Sequence, residues 1–305
     1  MKYLLLTDVY IPQGYEYLLD EKMPNAALSF PLVGLILVLI AGIAMSVMVG
    51  KKHKLEMLPV FAGATIFMFF NYFIVGIVTM FMPKGNVALF MALTSMLTAF
   101  VPFMGRLFFI KMFAKKYNRL KSHLGYGVGI MCMRGLMNLL TFIYPILYYA
   151  QINKNGVAAY FPADAKEETA LEMAKNLKEI LETEYSQYML FALITIALMV
   201  YAIAATMPIY AAFKGKKSKL WYVFALGMGL VVSLAEVLYS NNILVIPSII
   251  MAMVAAGVTA FFAIKLYKEL AEEEKEEPEE NNNDNGSISQ NARVKIPKFS
   301  NLDKL

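Results

Sequence analysis

Residues 124–150 read LGYGVGIMCMRGLMNLLTFIYPILYYA, a run with one charge, Arg134, ten residues inside it. Crossing the hydrocarbon core of a bilayer takes about 20 mostly apolar residues, so this stretch is long enough to span. A charge at that depth costs ~3 kcal/mol on insertion scales and more on an isolated helix. Such a side chain is expected to face a bundle interior, where it pairs, binds a ligand or lines a path. Glu236 holds a similar place in residues 220–240. The expected fold is therefore all-α, a polytopic helical membrane protein.

Working outward, the same length criterion gives seven spans, at roughly 30–50, 58–82, 86–110, 124–150, 187–213, 220–240 and 243–265. The stretches 23–50, 57–83 and 186–213 contain no Asp, Glu, Lys or Arg. Ser240-Asn241-Asn242 divides a run too long for one crossing, with Pro247 just beyond as a tight turn allows. Across all 305 residues, 59% are hydrophobic and 17% charged, and mean hydropathy is +0.55, which excludes a soluble domain of this size. The net charge of +5 sits in short clusters beside apolar spans, so it does not imply a nucleic-acid partner. Cys132 is the sole cysteine, which rules out an intramolecular disulfide, and it reads as a small buried hydrophobe. The apolar run Tyr3–Leu6 is short and is followed by Asp8, Glu16 and Asp20, unlike a signal peptide.

Lysine and arginine set the orientation. The loops after spans one, three and five carry Lys51, Lys52 and Lys54; Lys111, Lys115, Lys116, Arg119 and Lys121; and Lys214, Lys216, Lys217 and Lys219. The alternate loops hold Lys84, then no base, and a longer segment, 151–186, in which acids outnumber bases. The expected protein is a multi-pass protein of the cell membrane, N-terminus outside and C-terminus in the cytosol. Residues 1–29 form an extracytoplasmic segment, 30–268 the bundle with an outer loop or helix at 151–186, and 269–305 an acidic, disordered cytosolic tail. Within the outer segment, Leu171, Ala174, Leu177, Leu181 and Tyr185 recur at helical spacing after Glu167, Glu168 and Glu172. A surface helix over the bundle mouth and a solvated lead-in to span five both fit that pattern.

Three spans carry polar or small residues along one face. Span three has Ser95, Thr98, Pro102 and Arg106. Span four has Gly127, Met131, Arg134, Asn138, Thr141 and Pro145. Span six has Gly229, Ser233, Glu236 and Ser240. Converging, these would make a polar intramembrane site of Arg106, Arg134, Asn138, Glu236 and Ser233, with Asn71 from span two. Asn71 and Asn138 are equally suited to bonding helices together. At 1.5 Å per residue, Arg134 lies roughly 15 Å and Glu236 roughly 24 Å from the cytosolic ends of their spans, so an ion pair needs tilt, long reach or a bridging Asn71 or Asn138. Arg106, within about 10 Å of that face, is able to snorkel. In span seven, Ala252, Ala256 and Ala260 give a smooth packing face for a partner in this chain or another. Pro102, Pro145 and Pro208 predict kinks.

From span two to span four the chain resembles the YhfC-type family of intramembrane metalloproteases, distant relatives of the CAAX-processing proteases. The resemblance rests on Lys54-Leu-Glu-Met-Leu-Pro-Val-Phe-Ala-Gly-Ala-Thr-Ile-Phe, on Ala99-Phe-Val-Pro-Phe-Met-Gly-Arg106 and on Gly127-Val-Gly-Ile-Met-Cys-Met-Arg134. The family has Glu-Glu followed three residues later by Arg, then Gly-x-Gly-His-Gly-Gly-x-Glu. Arg106, Gly127 and Gly129 agree with it. Pro102-Phe103 replaces the acidic pair, Ile130 the histidine and Arg134 the glutamate. The chain's two histidines, His53 and His123, fall at span ends. A catalytic zinc takes about three His, Glu, Asp or Cys ligands and an activated water. The resemblance thus implies a degenerate member with its metal site lost, no cofactor, and a binding or regulatory role toward a membrane-protein partner. Gly125, Gly127 and Gly129 lack the Lys-Ser/Thr of a phosphate loop, and helix packing accounts for them. Other readings stay open: a transporter or binding protein for a small anion or anionic lipid using Arg134 and Glu236, an active membrane peptidase with an unrecognised site, and a structural protein assembling through the span-seven alanines.

Overall fold

The structure, a computed structural model, describes residues 14–15, 18, 21–83, 85–113, 116–117, 119–157, 161, 167–182, 184–215 and 217–276. The described residues are helical with no strand, and seven segments are long and apolar enough to cross a membrane. They are α1 (Ala26–His53); α2 (Met57–Phe67) continued through a π-helical segment (Met68–Ile74) into α3 (Val75–Met80); α4 (Val87–Phe113); α5 (Leu120–Asn155); α7 (Gln187–Ala204) with α8 (Thr206–Phe213); α9 (Leu220–Ser240); and α10 (Val245–Glu276). Between α5 and α7 lies α6 (Glu167–Glu182), outside the bundle proper. The division at Ser240-Asn241-Asn242 holds, with Asn242 and Leu244 at φ of 55° and 50° turning the chain.

The span formed by α7 and α8 is the spine. It is the most enclosed of the seven, with 61% of its core window buried against 11% for α1. Outward faces are oily: Ile40, Ile43 and Met48 on α1 and Phe261 and Ile264 on α10 are exposed, as lipid-facing side chains are. The expected kink at Pro208 shows as a one-residue interruption at Ala205, between α7 and α8. Proline cannot donate to the carbonyl four residues earlier, which here is Ala204.

Glycine sets the closest crossing. A Cβ at Gly129 would overlap the Val60 carbonyl, and one at Gly63 the Tyr126 carbonyl, so α2 and α5 touch backbone to backbone. Gly127 meets Ile203 and Thr206 at 3.1 Å, fitting α5 to the spine. The alanine face of α10 is used within the chain. Ala252, Ala255 and Ala256 are buried against Ile194, Leu198 and Tyr201 of α7 and Ala235 of α9. Of the two partners left open for that face, Ala252 and Ala256 take one within the chain, while Ala260 is half-buried.

Two boundaries differ from expectation, and one open choice between readings is decided. First, α5 begins at Leu120 and ends at Asn155, extending the 124–150 span at both ends. Second, α6 is a helix: Ala170, Ala174 and Leu177 bury against Leu18, Met23, Ile152 and Phe161, and Glu167 and Glu168 stand in its first turn. Third, α10 runs on to Glu276, through residues expected to begin the disordered tail. The acids there have partners at the lysine-rich end of the bundle. Lys217 Nζ lies 2.8 Å from Glu269 and 3.5 Å from Glu273. Glu274 accepts bonds from the Leu120 backbone N–H at 2.9 Å, at the start of α5, and from the Tyr210 hydroxyl at 3.2 Å. The rest of the expected tail, 277–305, and residues 1–13 of the N-terminal segment lie outside the described residues.

Cys132 is exposed on the outer face of α5, 3.7 Å from the Ser46 hydroxyl, rather than buried. About 200° of helix separates it from buried Ile130, which turns it away from the core.

Candidate functional site

Arg134 and Glu236 form an ion pair, with Nη2 of the guanidinium donating to Oε2 of the carboxylate. Their side chains are 12% and 31% exposed. No unusual tilt or reach is needed. Because α5 starts at Leu120, Arg134 stands about 21 Å from the lysine-rich end, against about 24 Å for Glu236 from Leu220. The guanidinium also lies over the Phe67 ring, 5.8 Å from its centroid. Phe67 is the last residue of α2 before the π-helical segment, an irregularity that the sequence reading missed.

Arg106 turns inward instead of snorkelling. It is 5% exposed, its Nη2 is 3.5 Å from the Ala202 carbonyl, and its Nε has no partner among the described residues. Two features hold it there. The carbonyl belongs to the last turn of α7 before the break, and the Tyr201 ring lies 5.8 Å from the guanidinium carbon. Tyr201 is within electrostatic reach of both Arg106 and Arg134. Its hydroxyl donates to the Ala225 carbonyl at 3.1 Å. A Cβ on Gly229 would come within 2.7 Å of that hydroxyl, so the absence of a side chain in α9 makes room for it.

The remaining predicted residues divide. Ser233 is buried one turn before Glu236. Asn138 donates to the Thr195 hydroxyl at 3.2 Å, joining α5 to α7, and does not bridge the ion pair. Asn71 is half-buried in the π-helical segment and does not bridge it either; its neighbour Tyr72 is the residue within electrostatic reach of both Arg134 and Glu236. Thr141 and Ser240 are exposed. Ser95, Thr98 and Ser240 donate to carbonyls of their own helices, at Met91, Thr94 and Glu236. The polar stripes therefore make separate polar contacts grouped on the spine rather than one connected network. Tyr201 and Thr195 escaped the sequence reading because a lone tyrosine or threonine in an apolar span carries no periodic signal.

The positions matched to the family's metal ligands are packed shut. Phe103 and Ile130 belong to one hydrophobic cluster with Phe109, Tyr126 and Met131. His123 is 2% exposed and stacks on Tyr210 at 4.1 Å, while His53 Nδ1 lies 2.6 Å from the Tyr267 hydroxyl. Among the described residues no three His, Cys, Asp or Glu side chains come together as a metal would need. The three best-formed cavities, of about 560, 380 and 310 Å³, are lined by neither Arg106 nor the Arg134–Glu236 pair. No family model, curated protein or solved structure matches the chain.

Proposed function

We propose that this multi-pass membrane protein resides in the cell membrane, N-terminus outside, and acts as a binding or regulatory scaffold for a membrane partner. In this reading it is a degenerate relative of the YhfC-type intramembrane metalloproteases, without catalysis. One observation carries the proposal. Where the resemblance calls for metal ligands, the chain has Phe103 and Ile130 in a sealed apolar cluster and Arg134 tied to Glu236. A fixed cation at the centre of such a site opposes a divalent metal. The orientation is supported by the gathering of Lys51, Lys52, Lys54, Lys111, Lys121, Lys214, Lys217 and Lys219 in the helix ends and turns of one side.

The anion-carrier reading built on Arg134 and Glu236 is the weaker one, because the carboxylate already neutralises the guanidinium. The test is metal content and peptidase activity of the purified full chain. The expected result is no stoichiometric zinc after equilibration and no cleavage of membrane-spanning peptides that a chelator abolishes. Stoichiometric zinc together with chelator-sensitive cleavage overturns the proposal.

A further inference from the structure

A cavity of about 560 Å³ forms a groove at the lysine-rich end between α1 and α10, floored by the α7–α8 spine. That volume lies within the range of small-molecule and lipid-chain pockets. Its walls are Met45 and Val49 of α1, Ile203 and Met207 of the spine, and Ala263 and Ile264 of α10. α1 and α10 share no extended contact. They are joined at the polar end of the groove by the bond between His53 and Tyr267. Lys52 precedes that histidine and Lys268 follows that tyrosine, and both residues line the groove. Both are exposed, and neither forms an ion pair among the described residues. Glu272 is the one acid in the lining, which leaves the polar end with an excess of positive charge.

Ile264, in the lining of the groove, is 59% exposed, and Phe261, three residues earlier on α10, is 66% exposed, so the α10 edge of the groove is an apolar surface of the kind that meets acyl chains. We propose that this groove binds an anionic glycerophospholipid, with the phosphate between Lys52 and Lys268 and an acyl chain along Val49, Ala263 and Ile264. Three features select that occupant together: an apolar throat, a cationic rim at the end where cytosolic headgroups lie, and an apolar outer edge. The groove is separate from the Arg134–Glu236 pair. The proposal therefore rests on the membrane-spanning bundle and not on the scaffold reading, and a zinc or cleavage result leaves it untouched.

The experiment is native mass spectrometry of the full-length protein in detergent, titrated with phosphatidylglycerol or phosphatidylcholine. Phosphatidylglycerol is expected to be retained preferentially. The Lys52→Gln/Lys268→Gln variant is expected to weaken its retention roughly thirtyfold, the factor that two lysines near an anionic surface supply together. Ala263→Phe, which fills the throat, should lower retention of phosphatidylglycerol with both lysines intact. Lys111→Gln/Lys219→Gln removes equal charge outside the groove and should leave retention unchanged. Equal retention of the two lipids overturns the proposal, as does equal loss in the two lysine variants. Retention seen only after deletion of residues 277–305 overturns it too, by assigning the groove to the chain's own C-terminal segment.

Discussion

At the scale of single residues, the pairing of Arg134 with Glu236 converts two costly side chains into one joint between α5 and α9. Removing either partner strands the other. Arg134→Ala is expected to destabilise the protein by about 3 kcal/mol, the usual cost of leaving an enclosed charge unpartnered. Adding Glu236→Ala should recover much of that loss, and a double-mutant cycle on unfolding in mixed micelles measures the coupling. Glu56 offers a pH test outside the membrane-spanning segments. Burial pushes its carboxyl upward. The Ser122 hydroxyl at 2.6 Å and the Lys121 ammonium at 2.9 Å outweigh that and hold it below the ordinary value of 4.5. A carboxylate lowered by folding adds stability that is complete above its unfolded value and is lost as pH falls through its folded one. The joint between the start of α5 and the residue before α2 should therefore hold at neutral pH and loosen only in acid, below the ordinary carboxylate value of 4.5. Amide exchange along the first turn of α5 checks this, and Glu56→Gln should abolish the dependence.

At the scale of elements, the crossings are governed by what side chains leave out. Gly129→Ala forces a methyl into the Val60 carbonyl and should cost about 2 kcal/mol, as overpacking a tight contact does. Gly257→Ala, on α10 with open space around it, should be neutral or slightly stabilising through helix propensity. Thermal denaturation of the two variants side by side separates these outcomes. This level was the most legible in the sequence. The run of apolar residues fixed the spans, Ser240-Asn241-Asn242 the seventh crossing, and Pro208 the weak point of the spine. What escaped it were offsets that depend on neighbours. Lys121, Ser122 and His123 look like loop residues, yet Glu56 and Glu274 satisfy the start of α5 and draw them into the helix, which shifts Arg134 into register with Glu236. The π-helical turn through Asn71 has no compositional mark.

For the whole molecule, the acidic end of α10 is a fastening. Glu269, Glu273 and Glu274 tie it to Lys217, Tyr210 and the first turn of α5. A chain ending at Lys268 should melt earlier, by about 1–2 kcal/mol in stability for the lost charge-assisted bonds. One ending at Glu276 keeps the fastening and should match the full protein in the same denaturation assay. Composition alone hid this, because a run of glutamates reads as solvated until the lysines facing it are placed. The candidate site was partly legible in the same way: burial cost singled out Arg106, Arg134 and Glu236, while Tyr201 beside Arg106 emerged only once the spine was positioned. The ion pair also has a history during synthesis. Its two members are 102 residues apart, so at ordinary elongation speeds the ribosome adds Arg134 roughly 5 to 20 seconds before Glu236 is made. Throughout that interval the guanidinium must wait without its counter-charge, and the fourth crossing takes its final seat only when the sixth arrives.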